Sequence, residues 1–226
     1  MLYVNEIFGP TFQGEGSSIG RRCMFLRLGG CNLDCCWCDT PYTWDRKHFP
    51  EPPGSWLDFT AINDKLKAVP VQMLVISGGE PLLQQSALAQ FIVSCGFTWV
   101  EVETNGTIMP SDAMLKAVAQ FNVSPKLANS QVSRKRRLNF EALNTFATLG
   151  NAIFKFVCTN DADLAEVAQI VQLAQIPADL VYVMPEGTTT EKVSTTLRQL
   201  AQPVLERGWN LTLRLHVLVW DNVRGR

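Results

Sequence analysis

The sequence predicts an α/β fold: a partial, open (β/α) barrel with a mostly parallel sheet, built as one domain over residues 1–226. Three observations carry this. Apolar β-rich runs alternate with helical patterns, as in βαβ units with crossover helices. Polar segments follow five of the strands directly, and ligands of α/β sheets bind at the carboxyl ends of strands. At 226 residues the chain is too short for a full eight-fold barrel of ~250.

The elements follow in chain order. Strand-like runs lie at 2–8, 23–29, 72–77, 98–103, 120–124, 152–158, 180–184 and 211–219. Helical patterns lie at 59–68, 82–95, 111–119, 161–175 and 189–207. Pro50, Pro52, Pro53 and Gly54 mark a loop inside the domain. The Ser-Arg-Lys-Arg-Arg run at 133–137 reads as a solvated basic loop. There are no repeats and no low-complexity segments.

Composition bounds the function. Hydrophobic residues make up 46% of the chain, enough for a substantial core. No apolar run reaches about 18 residues, so no membrane span is expected. Twenty basic and 21 acidic residues leave a net charge of −1 and no basic field for nucleic acid. Seven cysteines without a signal-peptide pattern point to a reducing cytoplasm. Cys23, Cys95 and Cys158 fall in apolar patterns and are expected to be inert core residues.

The chemistry starts at Phe25-Leu26-Arg27-Leu28, which runs into Gly-Gly-Cys-Asn-Leu-Asp-Cys-Cys-Trp-Cys-Asp-Thr at 29–40. Cys31, Cys35 and Cys38 form C-x3-C-x2-C, and no further cysteine follows Cys38 within 50 residues. Iron–sulfur clusters are held by cysteine thiolates, four for a closed [4Fe–4S] cube. Three thiolates leave one iron open to a substrate or cofactor. A structural zinc site would want a fourth Cys or His at short spacing, and His48, ten residues past Cys38, fits no common finger. A disulfide framework would need a secreted context. Cys36 makes C-x4-C-x-C a second formal register.

Leu74-Val75-Ile76 leads into Ser77-Gly78-Gly79-Glu80-Pro81, a strand-to-helix turn whose glycines admit a ligand close to the backbone. Glu80 offers a carboxylate to an ammonium group. Three more strands lead into Glu103-Thr104-Asn105-Gly106, Ser124-Pro125-Lys126 and Met184-Pro185-Glu186-Gly187.

The cysteine triplet together with Gly-Gly-Glu-Pro resembles the radical S-adenosylmethionine (SAM) superfamily, where SAM chelates the open iron. That resemblance implies a partial barrel of the radical SAM type. It places Trp37 beside the adenine, and Cys38, Asp39, Gly79, Glu80 and Ser124-Pro125-Lys126 on SAM. The amino-terminal Phe12-Gln13-Gly14-Glu15-Gly16 segment, with Cys38-Asp39-Thr40 and the short length, is similar to the 7-carboxy-7-deazaguanine synthases over nearly the whole chain. The family register selects Cys35 over Cys36.

The resemblance implies conversion of 6-carboxy-5,6,7,8-tetrahydropterin to 7-carboxy-7-deazaguanine with loss of ammonia. It further implies SAM used catalytically, Mg²⁺, a homodimer, and an electron donor such as flavodoxin or ferredoxin. Phe12, Gln13, Gly14, Glu15, Arg27, Ser77 and His216 would then touch substrate, and Thr40 would hold Mg²⁺. Residue chemistry agrees. Glu15 can accept from the 2-amino and ring N–H groups of a pterin edge, and Arg27 can grip a carboxylate with its fork. Mg²⁺ takes oxygen ligands and keeps waters, so one hydroxyl plus substrate oxygens suffices; Thr40 is otherwise a turn hydroxyl before Pro41. His216 reads equally as a satisfied core histidine. The tail 216–226 resembles a family segment closing over substrate.

Two rivals share the triplet. A glycyl-radical-enzyme activase acts on a protein and has less need of a carboxylate-and-arginine pocket. A ferredoxin-like carrier needs no SAM site.

Overall fold

A computed structural model describes residues 1–226 apart from Pro52, Asn222 and Arg226, so what the sequence suggests for those three lies outside the described residues. Among the described residues one sheet of nine strands runs through the molecule. In chain order the strands are β1 (Leu2–Phe12), β2 (Arg22–Leu28), β3 (Ser55–Leu57), β4 (Met73–Gly78), β5 (Trp99–Thr104), β6 (Gln120–Val123), β7 (Ala152–Cys158), β8 (Val181–Pro185) and β9 (Asn210–Leu211). Their spatial order is β3-β1-β2-β4-β5-β6-β7-β8-β9. β1 pairs antiparallel with β2 and β3; every pairing from β2 to β9 is parallel. β3 and β9 are the two free edges, so the sheet curls without closing.

Among the described residues eight α-helices punctuate it: α1 (Phe59–Leu66), α2 (Gln85–Ser94), α3 (Asp112–Ala117), α4 (Arg134–Arg137), α5 (Phe140–Thr148), α6 (Asp161–Ala174), α7 (Thr190–Glu206) and α8 (Leu215–Trp220). Their starts are written in the sequence. Asp58, Ser111, Asn139, Asn160 and Thr189 each accept a backbone N–H of the first turn. Such a cap stabilises a helix by about 1 kcal/mol.

Strand residues alternate between two faces. Leu26, Leu28, Leu74, Ile76, Val102, Phe121, Phe154 and Phe156 join the apolar core with residues of the flanking helices. Each fully buried Leu or Phe contributes ~1.5–3 kcal/mol. The alternate residues, among them Phe25, Arg27, Ser77, Glu103, Ser124, Lys155 and Val157, point into a concave cleft. Cys23, Cys95 and Cys158 are fully buried, as expected of core thiols, and burial pushes the Cys23 thiol up to about 12.

Four expectations change. The run at 211–219 is not a strand: β9 stops at Leu211 and the chain turns into α8. A short apolar run fits either state. Here backbone N–H groups of Leu218 and Asp221 find the carbonyls of Arg214 and Val217 one turn back. The basic run 133–137 is largely a short helix, with Arg137 only 4% exposed and ion-paired to Glu166. Helix α5 and edge strand β3 appear where no element was expected. Finally, β1 runs on to Phe12, which carries Gln13–Gly16 to the mouth of the cleft.

Candidate active site

The cleft lies at the carboxyl ends of the parallel strands, with a cavity volume of about 210 Å³, and is partly open to solvent. Cys31, Cys35 and Cys38 line one wall, while the Cys36 side chain is exposed and its thiol donates to the carbonyl of Asn129 at 3.4 Å. The three wall thiols pack with Leu33 and Val132.

Burial pushes the Cys31 thiol up to about 11 and raises that of Cys35 as well. The raised values favour the protonated thiols, and metal coordination is the step that would displace those protons. The Cys31 sulfur accepts from Leu33 N–H at 3.4 Å and the Cys38 sulfur from Trp44 Nε1 at 3.4 Å. Among the described residues no three His, Cys, Asp or Glu side chains are arranged to hold a single metal ion. A cube does not require that, because each thiolate binds its own iron. Three soft thiols in an apolar wall with two N–H donors to sulfur therefore fit an iron–sulfur cluster.

The turn at Gly78-Gly79-Glu80 packs directly on the cysteine loop. Gly79 N–H donates to Leu28 at 3.2 Å, and Glu80 N–H donates to Gly30 at 2.9 Å. A Cβ on Gly79 would sit 2.7 Å from the Cys31 Cβ, so only glycine fits. Glu80 itself is fully buried and is not among the residues lining the cleft. Its carboxylate accepts from Leu82 N–H (2.9 Å), Thr104 hydroxyl (2.8 Å) and Asn105 N–H (2.7 Å). Burial raises its pKa despite these donors. Glu80 thus braces the turn instead of facing an ammonium group, and Pro125 also stays off the cleft. Ser124 and Lys126 do face it: Lys126 Nζ donates to Ser124 Oγ at 2.9 Å and sits 5.7 Å above the Trp37 ring. The Trp37 indole N–H donates to Asn129 Oδ1 at 3.1 Å, which fixes the ring plane.

Across the cleft stand Phe12, Gln13, Gly14, Glu15, Arg27, Ser77 and His216. Arg27 lies beside Ser77 in the β2–β4 register. Its Nε donates to Glu6 Oε1 at 2.7 Å, which aims the guanidinium and engages only that nitrogen among the described residues. Gln13 is 1% exposed and spends its amide on Glu101 and Glu103, at 3.4 and 3.3 Å.

Glu15 is the centre of charge. It is ion-paired with Lys155, and Arg214 Nε stands 3.2 Å away. Burial raises its pKa, but Lys155, Arg214 and His216 outweigh burial and hold the carboxyl well below the usual range. Arg214 ties three segments together. It pairs with Asp39 after the cysteines, with Glu15, and with the Gly187 carbonyl at 2.6 Å. His216 Nε2 lies 4.0 Å from Glu15 Oε1, and burial lowers its pKa, which favours the neutral ring. The ring sits against Gly14, where a Cβ would come 3.0 Å from its Cγ. Thr40 also lines the cleft, its hydroxyl 3.8 Å from the Cys38 sulfur.

Lys155 and Arg214 are the charged groups that sequence reasoning missed. Lys155 had a signal: it is the one charge in the apolar strand Ala-Ile-Phe-Lys-Phe-Val-Cys, where an unpaired lysine is almost never buried. Arg214 had none, because the run around it reads as a strand.

Residues 12–143, more than half of the chain, match the family model described as a 4Fe-4S single cluster domain. A 7-carboxy-7-deazaguanine synthase of Pyrobaculum aerophilum is 36% identical over 228 residues, covering 99% of this chain and 96% of that protein. The crystal structure of QueE from Escherichia coli superposes with a TM-score of 0.70 at 24% identity, covering 95% of this chain and 94% of that one. The structure of Streptococcus suis SuiB bound to S-adenosylmethionine shares the fold with a TM-score of 0.55 at 14% identity, over 84% of this chain and 50% of that one. The chain belongs to the 7-carboxy-7-deazaguanine synthase family.

Proposed function

We propose that this chain is a radical SAM lyase that converts 6-carboxy-5,6,7,8-tetrahydropterin to 7-carboxy-7-deazaguanine with loss of ammonia, in 7-deazapurine (queuosine-type) biosynthesis. One observation carries the reading: Glu15, Arg27 and His216 face the same cleft as the three cysteines. A carboxylate, a guanidinium fork and a neutral imidazole suit a small polar ring bearing a carboxyl group. A protein substrate or a bare electron carrier has no use for them.

When bound, the [4Fe–4S] cluster and SAM supply a one-electron route to a hydrogen-abstracting radical. Cys31, Cys35 and Cys38 are the thiolates that hold the cluster. Trp37, Asp39, Gly79, Ser124 and Lys126 line the space for SAM, and Glu80 and Pro125 act only by shaping the loops that carry them.

Glu15, kept ionised by Lys155 and Arg214, accepts the 2-amino and ring N–H groups of the pterin. The terminal nitrogens of Arg27 take the substrate carboxylate in a bidentate pair. Neutral His216 contributes one donor and one acceptor. Phe12 covers the mouth and stacks on Trp220 with ring centroids 6.0 Å apart. The cleft shields the reacting ring from water.

Thr40 offers one oxygen to Mg²⁺, the rest coming from substrate and water. Phe12, Val219 and Val223, 44, 52 and 57% exposed, give an apolar surface in keeping with a homodimer. Flavodoxin or ferredoxin would deliver the electron, in a reducing cytoplasm that keeps the cysteines out of disulfides. Residues 1–226 act as one domain around the single sheet.

Ammonium release tests the reading. Under anaerobic conditions it should require the carboxytetrahydropterin, SAM and a reductant together. No ammonium from a cluster-loaded enzyme, or a requirement for a partner protein as substrate, would overturn it.

A further inference from the structure

The three cleft thiols are not equivalent. Cys38 is the one whose sulfur receives a side-chain nitrogen donor among the described residues, the indole Nε1 of Trp44 at 3.4 Å. The indole is held in place from the cysteine loop itself. Trp44 N–H donates to Pro41 at 3.0 Å, Thr43 N–H to Thr40 at 3.0 Å, and Gly30 N–H to Thr43 at 2.7 Å. Thr43 is fully buried, so this short turn is fixed against the residue that precedes Cys31. A half-buried indole N–H needs an acceptor. A neutral thiol is a poor one, whereas an iron-bound thiolate carries charge and is a good one.

Hydrogen bonds to ligand sulfurs are among the determinants of cluster potential. A donor favours the redox state with more negative charge, which is the reduced state. We propose that Trp44 is a positioning residue that raises the reduction potential of the cluster through its hydrogen bond to Cys38. This rests on the three-thiolate cluster reading of the proposed function.

Trp44→Phe removes the N–H and keeps an aromatic ring. The measurement is an anaerobic redox titration of the reconstituted enzyme followed by EPR, with iron and sulfide analysis alongside. Wild type must first show a full cluster; if it does not, the cluster reading fails and Trp44 is not at issue. The variant is expected to retain its iron and sulfide while its reduction becomes roughly tenfold less favourable, about 59 mV lower for a one-electron couple. A merely structural role would reduce cluster content and leave the midpoint unmoved, and an unmoved midpoint overturns the proposal. If Trp44→Phe takes up no cluster, wild type labelled with ¹⁵N at the indole nitrogens decides. Pulsed EPR of its reduced cluster should detect a ¹⁵N coupling, and its absence overturns the contact.

Discussion

Replacing Lys155 with methionine removes the ammonium that faces Glu15 and keeps an unbranched side chain in strand β7. The two side chains are only 7 and 13% exposed, so the pair is poorly screened. Two unit charges 4 Å apart interact by about 4 kcal/mol at an effective dielectric of 20. Breaking a buried pair by removing one partner costs ~3–5 kcal/mol, because a buried charge is left behind. Arg214, 3.2 Å from the other side of the carboxylate, softens that loss. We therefore expect Lys155→Met to lower the unfolding free energy by about 3 kcal/mol, at the low end of that range.

Urea unfolding under anaerobic conditions at pH 7 measures it. Glu15→Gln in the Lys155→Met background should recover about 1–2 kcal/mol, since no unpaired charge then remains. The pH dependence supplies a sign check. The Glu15 carboxyl is held below its ordinary value in the folded protein, so on acidification the unfolded chain takes up the proton first. Its stabilisation is full above the ordinary carboxylate range and is lost as pH falls from that range through the lower folded value. That slope should shrink in Lys155→Met and vanish in the double variant. A cost below ~0.5 kcal/mol, the level of an ordinary surface substitution, or strictly additive single effects, would refute the reasoning.

Other substitutions test the site. Arg27→Ala should cost roughly 2–5 kcal/mol in kcat/KM with the cluster spectrum and SAM binding intact, and Arg27→Lys should rescue only part of it. Unchanged kinetics in both, or an equal defect in SAM titration, would remove Arg27 as the carboxylate clamp. Cys31→Ala, Cys35→Ala and Cys38→Ala should each abolish the [4Fe–4S] signal and activity while Cys36→Ala keeps both; the reverse for Cys35 and Cys36 would reassign the ligands. Thr40→Val should fold and lose most Mg²⁺ stimulation, and wild-type activity across a Mg²⁺ titration would leave Thr40 a turn residue.

The sheet was readable because parallel strands buried on both faces appear as near-continuous apolar runs, as at 72–77 and 152–158. The cleft was readable because its polar residues follow those runs at short, fixed distances. Sixteen residues named from the sequence, from Phe12 to His216, line one cavity. Charge pairing across long sequence separations was not readable. Glu15 meets Lys155 and Arg214 only because β7 and the segment before α8 close on the amino-terminal loop. Glu80 was misjudged for the same reason, since its three donors come from the following turn and the end of β5. The run 211–219 was misjudged because β-branched and leucine residues fit strand and helix alike, and here its backbone N–H groups bond one turn back.

Mass spectrometry of the product bears most directly on the central claim. The reconstituted enzyme is incubated anaerobically with 6-carboxy-5,6,7,8-tetrahydropterin, Mg²⁺, a reductant and SAM at a concentration well below that of the substrate. The account predicts a product lighter than the substrate by one ammonia, formed in excess of the SAM present, with SAM recovered intact. Unchanged substrate beside an intact cluster and bound SAM, or turnover that appears only when a partner protein is added, would contradict it.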